Sequence, residues 1–167
     1  NYLDTGIQLF DEDKDFVLAI DYEFTGNTVN SVLAQCCRVR TNGGFQLLYN
    51  NGARLKWTSN VTTTPIANVN EREMVVIRHK KGEPTLTVYS SNLNEPNIYS
   101  GTLDGTEFTV TDADTLVFGC EKQSSTVFAN YASGKVHWAK IWYKDIGDKA
   151  CQELASWIHE DIDFQAC

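Results

Sequence analysis

The chain has 167 residues, of which 42% are hydrophobic and 11% aromatic, and this composition is typical of a folded globular domain rather than a disordered segment. It holds no apolar run of about 18 residues, so it predicts no membrane-spanning helix. A net charge of −8 argues against a nucleic-acid-binding protein. We expect one domain over residues 1–167. Because the chain begins at Asn1 rather than Met, we expect it to be a piece of a longer protein.

The basic residues are concentrated in the middle of the chain. Positions 38 to 81 hold eight Lys and Arg residues and two acidic ones, a balance of +6, and include all five arginines. The rest of the chain has 6 basic and 20 acidic residues, a balance of −14. The simplest interpretation is that these cations solvate strand faces in water. The alternative, developed below, is a surface that binds an anion.

The N-terminal region predicts two strands separated by an acidic loop. Gly6–Phe10 is the first expected strand, and Phe16–Phe24 is the second, because apolar residues occupy every other position. In the loop between them, Asp11, Asp13 and Asp15 have a spacing that suggests calcium. The Gly and Glu that a calcium loop carries at its sixth and twelfth positions are absent. We therefore predict a solvated acidic turn, with neither a metal nor another cofactor.

The middle of the chain predicts a series of short strands. These are Val32–Arg40, Phe45–Tyr49, Ala53–Trp57, Arg72–Lys80, Thr85–Ser90, Ile98–Leu103, Phe108–Thr111 and Leu116–Cys120. Asn51-Gly52 is a strong signal for a two-residue hairpin turn, which would pair Tyr49 with Arg54 and Leu47 with Lys56. Directly opposed residues share a face, so this register predicts a mixed face with Tyr49, Arg54 and Lys56. Short strands with regular turn signals indicate an all-β sandwich.

The C-terminal part predicts a loop at Gln123–Ser133, a long strand at Gly134–Lys144 and a short helix at about 149–160. In the strand, Ala139, Ile141 and Tyr143 would face one way, and Val136 would join them only if a bulge re-phases the strand between Val136 and Ala139. The other face would carry Trp138, Lys140, Trp142 and Lys144. The helix would place one apolar face against the domain, made of Ala150, Leu154, Trp157 and Ile158.

This order of strands resembles that of concanavalin A-like, laminin G-like jelly-roll domains. The resemblance rests on Phe16-Val-Leu-Ala-Ile-Asp-Tyr-Glu-Phe24, Gly44-Phe-Gln-Leu-Leu-Tyr49, Val75-Val-Ile-Arg-His79 and the strand after Gly134. The C-terminal Lys140-Ile-Trp-Tyr-Lys-Asp-Ile-Gly-Asp148 is similar to modules of bacteriophage tail and fibre proteins and of bacterial surface proteins. The resemblance implies a two-sheet antiparallel jelly roll whose last strand pairs with an N-terminal strand, at an extracellular or virion surface.

The sequence carries no catalytic motif of this fold. Hydrolases with this fold have a Glu-x-Asp-x-Glu-type strand that holds two carboxylates about 5–5.5 Å apart, and no predicted strand has that pattern. The three histidines are isolated from one another, and there is no Gly-x-Ser-x-Gly motif. The five cysteines include no Cys-x-x-Cys pair, which argues against a zinc or redox motif, and a disulfide between Cys151 and Cys167 is one alternative for two of them. We predict that the chain is not an enzyme.

Two functions fit these features. The first is a lectin-like module that binds a cell-surface glycan, and the second is a structural module that contacts other proteins of a virion or surface assembly. For the first, Arg matches carboxylate and sulfate groups with a planar fork of donors, and Tyr adds an apolar ring, so we predict an anionic polysaccharide. The candidate ligand-binding residues are Tyr49, Arg54, Lys56, Arg38, Arg40 and Arg78 on a basic sheet face, with the loops around Tyr131 and Trp138 as the alternative location.

Overall fold

A computed structural model describes residues 2–9, 14–25, 29–36, 44–49, 53–57, 60–61, 71–81, 83, 85–90, 97–100 and 115–157, with the backbone alone at 53–57, 60–61 and 97–100. Its elements in chain order are β1 (Leu3–Asp4), β2 (Phe16–Phe24), β3 (Val32–Cys36), β4 (Phe45–Tyr49), β5 (Ala53–Trp57), β6 (Asn60–Val61), β7 (Arg72–His79), β8 (Thr85–Ser90), β9 (Asn97–Ser100), β10 (Val117–Phe118), β11 (Glu121–Lys122), β12 (Phe128–Ala129), β13 (Gly134–Trp142) and the helix α1 (Asp148–Ala155).

The strands form two stacked antiparallel sheets and one small hairpin. The six-stranded sheet has the order β1-β10-β3-β4-β5-β6, the five-stranded sheet has the order β13-β2-β7-β8-β9, and β11 pairs with β12. This arrangement confirms the predicted all-β, two-sheet jelly-roll sandwich with one short C-terminal helix. In the part of the chain that the structure describes, no helix is long and apolar enough to cross a membrane.

Strand β2 lies at the centre of the packing because it is buried on both faces. Phe16, Leu18, Ile20, Tyr22 and Phe24 point between the two sheets, as their alternation predicts, and pack in the main core. Val17 and Ala19 point to the opposite face and pack in a second core beneath α1. Full burial of each large apolar side chain stabilises the fold by about 1.5–3 kcal/mol, so β2 contributes to both cores at once.

The long C-terminal strand β13 pairs with β2 along its whole length. The register shifts between Val136 and Trp138, so the strand contains the bulge on which the predicted orientation of Val136 depended. Val136 and Ile141 consequently both pack against the main core, while Trp138 and Trp142 pack beneath α1. At Gly134 a Cβ atom would lie 2.3 Å from the carbonyl oxygen of Glu23, so only glycine allows this close approach to β2.

Helix α1 is shorter than predicted, and of its expected apolar face Leu154 packs against the second core. It ends at Ala155 rather than near 160, where the backbone N–H of Trp157 bonds back to the carbonyl of Leu154 and tightens the last turn. Cys151 and Ala155 are its buried residues, whereas Trp157, expected on the apolar face, is exposed. Cys151 is a buried free thiol, and Cys167, the other half of the disulfide considered above, lies outside the described residues.

The position of the first strand and the register of the β4–β5 hairpin also differ from the predictions. The first strand is Leu3–Asp4 rather than Gly6–Phe10, and Gly6 has a φ of 69°, a left-handed conformation that ends a strand. In the β4–β5 hairpin, Tyr49 pairs with Ala53 rather than with Arg54, which leaves three residues between the paired ends instead of two. This slip by one residue exchanges the face on which each partner lies.

Candidate functional site

An open groove lies where the two sheets end on the same side of the sandwich. Its walls come from β1 and β10 of one sheet and from β13 of the other, and its volume is about 530 Å³. We call this space the edge groove. Its described lining is apolar apart from one tyrosine, and consists of Tyr2, Leu3, Leu33, Phe118, Gly119, Ala132, Gly134, Val136 and Ala139.

Three aromatic residues form a cluster at the edge groove. The rings of Tyr2 and Phe128 stack with their centroids 4.3 Å apart, and Tyr131 lies 6.3 Å from Tyr2 in a tilted arrangement. Tyr2 keeps 47% and Tyr131 keeps 53% of its surface exposed. We call these three residues the aromatic cluster. A tyrosine offers a flat apolar ring and a polar hydroxyl, so the cluster suits a ligand with both an apolar face and hydrogen-bonding groups.

A partly buried ion pair fixes strand β1, which Tyr2 immediately precedes. The Lys122 Nζ donates to Asp4 Oδ2 at 2.6 Å and to Thr115 Oγ1 at 2.8 Å, and Thr115 donates to the other Asp4 oxygen at 2.7 Å. Burial alone would raise the pKa of Asp4, but hydrogen bonds from Lys122, Thr115 and the Gly6 backbone outweigh it and lower that pKa. The network ties β1 to the β11–β12 hairpin and so holds Tyr2 against Phe128.

Hydrogen-bonding side chains lie next to the aromatic cluster in sequence. Asn130, which immediately precedes Tyr131, has a φ of 48° and donates from its side-chain amide to Glu121 Oε2. Gln123 donates to the same oxygen at 3.2 Å. The backbone carbonyl of Asn130 accepts from Val32 at 2.8 Å, which fastens this loop to the six-stranded sheet. Asn130 itself remains exposed at the surface.

The predicted basic face does not include Arg78. This residue lies on β7, in the other sheet from β4 and β5, and its side chain is only 6% exposed. It donates to both oxygens of Asp145 at 2.7 and 2.6 Å, to Asp148 at 2.5 Å and to the Tyr89 hydroxyl at 3.3 Å. The hydrogen bonds to Asp145 raise the pKa of Arg78 above its usual range. Arg78 therefore fastens the start of α1 to the sheet.

The remaining residues of that face are also rearranged. Tyr49 is half buried and packs against the main core, with its ring 6.1 Å from Phe24. The observed register places Arg54 opposite Leu48 and Lys56 opposite Gln46, so neither shares a face with Tyr49. Arg38 and Arg40 lie outside the described residues. The expectation of one face that joins Tyr49, Arg54 and Arg78 is therefore wrong, because the hairpin register and the sheet assignment both differ from it.

The structure separates the two residues of the alternative location. Tyr131 is exposed in the aromatic cluster, whereas Trp138 packs on the opposite side of β13 with the core beneath α1. Tyr2 and Phe128, which complete the cluster, were not among the candidate residues. The pairing of Leu3 with Phe118 and of Lys122 with Phe128 brings them together across more than one hundred residues of chain, and no local pattern signals it.

The described titratable groups show no arrangement typical of a nucleophile or a metal site. Burial raises the pKa of both the Cys120 and the Cys151 thiol to about 11, so both are protonated at neutral pH. Within the described ranges, no group of three His, Cys, Asp or Glu side chains could hold a metal ion. Asp15 accepts a hydrogen bond from the Lys81 backbone at 2.7 Å, and its loop partners Asp11 and Asp13 lie outside the described residues.

Comparison with known proteins identifies the fold. No protein-family model matches the sequence, and no curated protein matches it significantly. The CBM40 carbohydrate-binding module of the Ruminococcus gnavus IT-sialidase, solved with α2,3-sialyllactose, superposes with a TM-score of 0.67 at 12% identity and covers 93% of this chain and 92% of that one. The NanB sialidase of Streptococcus pneumoniae gives a TM-score of 0.62 at 12% identity, over 91% of this chain and 26% of that one. A Limulus polyphemus SAP-like pentraxin gives 0.60 at 11% identity, over 86% and 70%.

Proposed function

We propose that the chain is a non-catalytic carbohydrate-binding module of an extracellular or virion-surface protein, and that its glycan lies in the edge groove. The observation that carries this proposal is the aromatic cluster, in which Tyr2 and Tyr131 remain about half exposed beside an apolar groove of about 530 Å³. A pyranose ring presents an apolar C–H face and a rim of hydroxyls. The apolar face matches the tyrosine rings, and the rim matches neighbouring amide and carboxylate groups.

The groove is built to bind without large rearrangement. Its walls are sheet strands, and the Asp4–Lys122 ion pair at 2.6 Å holds β1, the strand that follows Tyr2. Tyr2 is further ordered by its stack on Phe128. A ligand therefore does not have to immobilise these side chains on binding, which is the cost that otherwise reduces affinity.

The structural neighbours support a glycan as the ligand class. The Ruminococcus gnavus module was solved with α2,3- and with α2,6-sialyllactose, and it spans nearly the same length as this chain. At 12% identity it supports the class of ligand and not the position of any residue. Binding of an anionic polysaccharide by Arg54 and Lys56 remains a separate prediction. Both residues are on β5, which is four places from β1 in the six-stranded sheet.

The proposal is tested with a pair of tyrosine variants. Tyr131 and Tyr143 are exposed to a similar extent, 53% and 57%, but the ring of Tyr131 lies 6.3 Å from that of the groove-lining Tyr2, whereas Tyr143 follows the end of β13 and is not part of the aromatic cluster. A glycan array identifies a ligand, and calorimetry then measures its affinity. We expect Tyr131→Ala to weaken binding about tenfold, or 1.4 kcal/mol, and Tyr143→Ala to leave it unchanged. Equal losses for the two variants would place the glycan elsewhere.

Contact with another protein is the second candidate function. Leu3 is 59% exposed at the edge groove, and Val127 is 49% exposed one residue before Phe128. Exposed aliphatic side chains beside aromatic ones are typical of surfaces that bind protein. A virion or surface assembly would use this face as a subunit contact. No binding on the glycan array, together with a stable oligomer that Leu3→Asp dissociates, would favour this function over the first.

A further inference from the structure

The edge groove differs from the sequence-based expectation in its charge. None of its described lining residues carries a formal charge, whereas the predicted ligand was an anionic polysaccharide. If the groove is a glycan site, as proposed above, the charged side chains that surround it decide which class of sugar it accepts.

The cation opposite Phe128 in the β11–β12 hairpin is already paired with a carboxylate. Lys122 is 4% exposed, and its ammonium group contacts Asp4 and Thr115. On the opposite wall, Gly134 and Val136 line the groove, so the alternation of β13 directs Lys135 to the other face of the strand. The next residue with a basic ring, His137, lies 3.8 Å from Glu23. No described cation therefore points into the groove.

The anionic group beside the cluster acts against an acidic ligand. Glu121 is largely buried and accepts hydrogen bonds from Asn130 and Gln123. A sugar carboxylate in this apolar space would lose hydration without gaining a counter-charge, and it would be repelled by the Glu121 carboxylate. A neutral sugar ring loses only weakly bound water from its C–H face. Its hydroxyls can donate to a carboxylate and accept from an amide such as that of Asn130.

We propose that the edge groove selects a neutral pyranose, stacked on Tyr131 and Tyr2, and that any acidic residue of the bound glycan stays outside the groove. The recognition is then carried by ring stacking and neutral hydrogen bonds rather than by ion pairs. Arg54 and Lys56 do not contribute to it, because β5 lies four strands from β1, or roughly 19 Å across the sheet.

The test compares matched sugars. An array carries neutral oligosaccharides beside the sialylated form of each, and the tightest-binding glycan is titrated by calorimetry at low and at high salt. We expect a neutral member to bind, its affinity to change by no more than about twofold with salt, and Arg54→Ala to have no effect. Tyr131→Ala should weaken the same interaction about tenfold, while Tyr143→Ala should not.

The two proposals fail in different ways. Binding only of sialylated members, lost at high salt or in Arg54→Ala, would overturn the neutral-pyranose proposal and leave carbohydrate binding in place at another surface. Binding of no glycan at all, by a protein that unfolds cooperatively and is therefore intact, would overturn the proposed function itself, and this inference with it. Binding of neutral members that Tyr131→Ala does not weaken would also overturn the inference, because the sugar would then not stack on the aromatic cluster.

Discussion

The edge groove and the sheet face beneath α1 contain the same kinds of residue and differ in what covers them. Beneath the helix, Trp138, Trp142 and Tyr89 pack with Cys151 and Ala155 in the second core. At the groove, the aromatic cluster packs on one side only and leaves half of two tyrosines in water. An aromatic residue on a sheet therefore contributes to stability or to recognition according to whether a later segment of the chain covers it.

Each region also contains one buried cation, and in both the cation joins distant segments. Arg78 binds Asp145, 67 positions later, and Lys122 binds Asp4, 118 positions earlier. Both cations are satisfied by carboxylates of the same chain. Arg72 behaves similarly, since it donates to Asp21 at 3.0 and 2.7 Å. The arginines of the basic segment whose side chains are described, Arg72 and Arg78, are thus both paired with carboxylates of the same chain, and Arg78 is also buried.

The largest expected effect comes from removing the cation beneath the helix. We expect Arg78→Ala to lower the free energy of unfolding by about 3 kcal/mol, the lower end of the range for a broken buried ion pair, because Asp145 and Asp148 keep access to water. The loss is measured by urea unfolding. Glycan affinity of the folded protein should be unchanged, since the groove does not contact this cluster.

The matched control for this variant is an exposed ion pair. Lys80 and Glu83 lie 3.7 Å apart with their side chains 41% and 50% exposed, so Lys80→Ala should change stability by less than about 0.5 kcal/mol. A loss of glycan affinity in Arg78→Ala without a loss of stability would break the distinction between the two regions, because it would mean that Arg78 acts in binding.

The fold was more predictable from sequence than the site, for a physical reason. The alternation of Phe16 to Phe24 fixes which side chains face the core, and the bulge beside Val136 follows from the need to keep apolar residues inside. The hairpin register does not follow from Asn51-Gly52, because loops of two and of three residues are both common and differ by one position. The aromatic cluster depends on pairings between β1, β10 and β12, which no local pattern encodes.

A substitution at Gly134 should affect both regions of the comparison at once. The added Cβ of Gly134→Ala would meet the Glu23 carbonyl oxygen at 2.3 Å, and a backbone atom in a sheet cannot move aside easily. We expect a loss of about 1–3 kcal/mol in urea unfolding, as for an overpacked site, and weaker glycan binding because Gly134 lines the groove. Lys135→Ala, at the exposed neighbouring position, should change neither. Unchanged stability of Gly134→Ala would mean that β13 shifts without cost.

The smallest expected effect is the response of the two regions to acid. Hydrogen bonds from Arg78 lower the pKa of Asp145 against the opposing effect of burial, and the Gly147 backbone N–H lowers it further. A carboxyl whose pKa is lower in the folded than in the unfolded state adds stability above its unfolded pKa of about 3.9, and this stability is lost as the pH falls through its folded pKa.

We therefore expect Asp145 to contribute a constant amount to the free energy of unfolding above about pH 5. In more acidic solution this contribution should fall. The effect is small because the Asp145 side chain is 29% exposed and water screens its charge. Asp145→Asn should make urea unfolding less dependent on pH in this acidic range. Glycan affinity should stay level from about pH 5 to 8, because the described groove lining has no carboxyl, imidazole or amine side chain. A marked pH dependence of binding in that interval would place a titrating group in contact with the sugar. The edge groove would then not be an uncharged site, and its contrast with the charged, covered sheet face beneath α1 would be wrong.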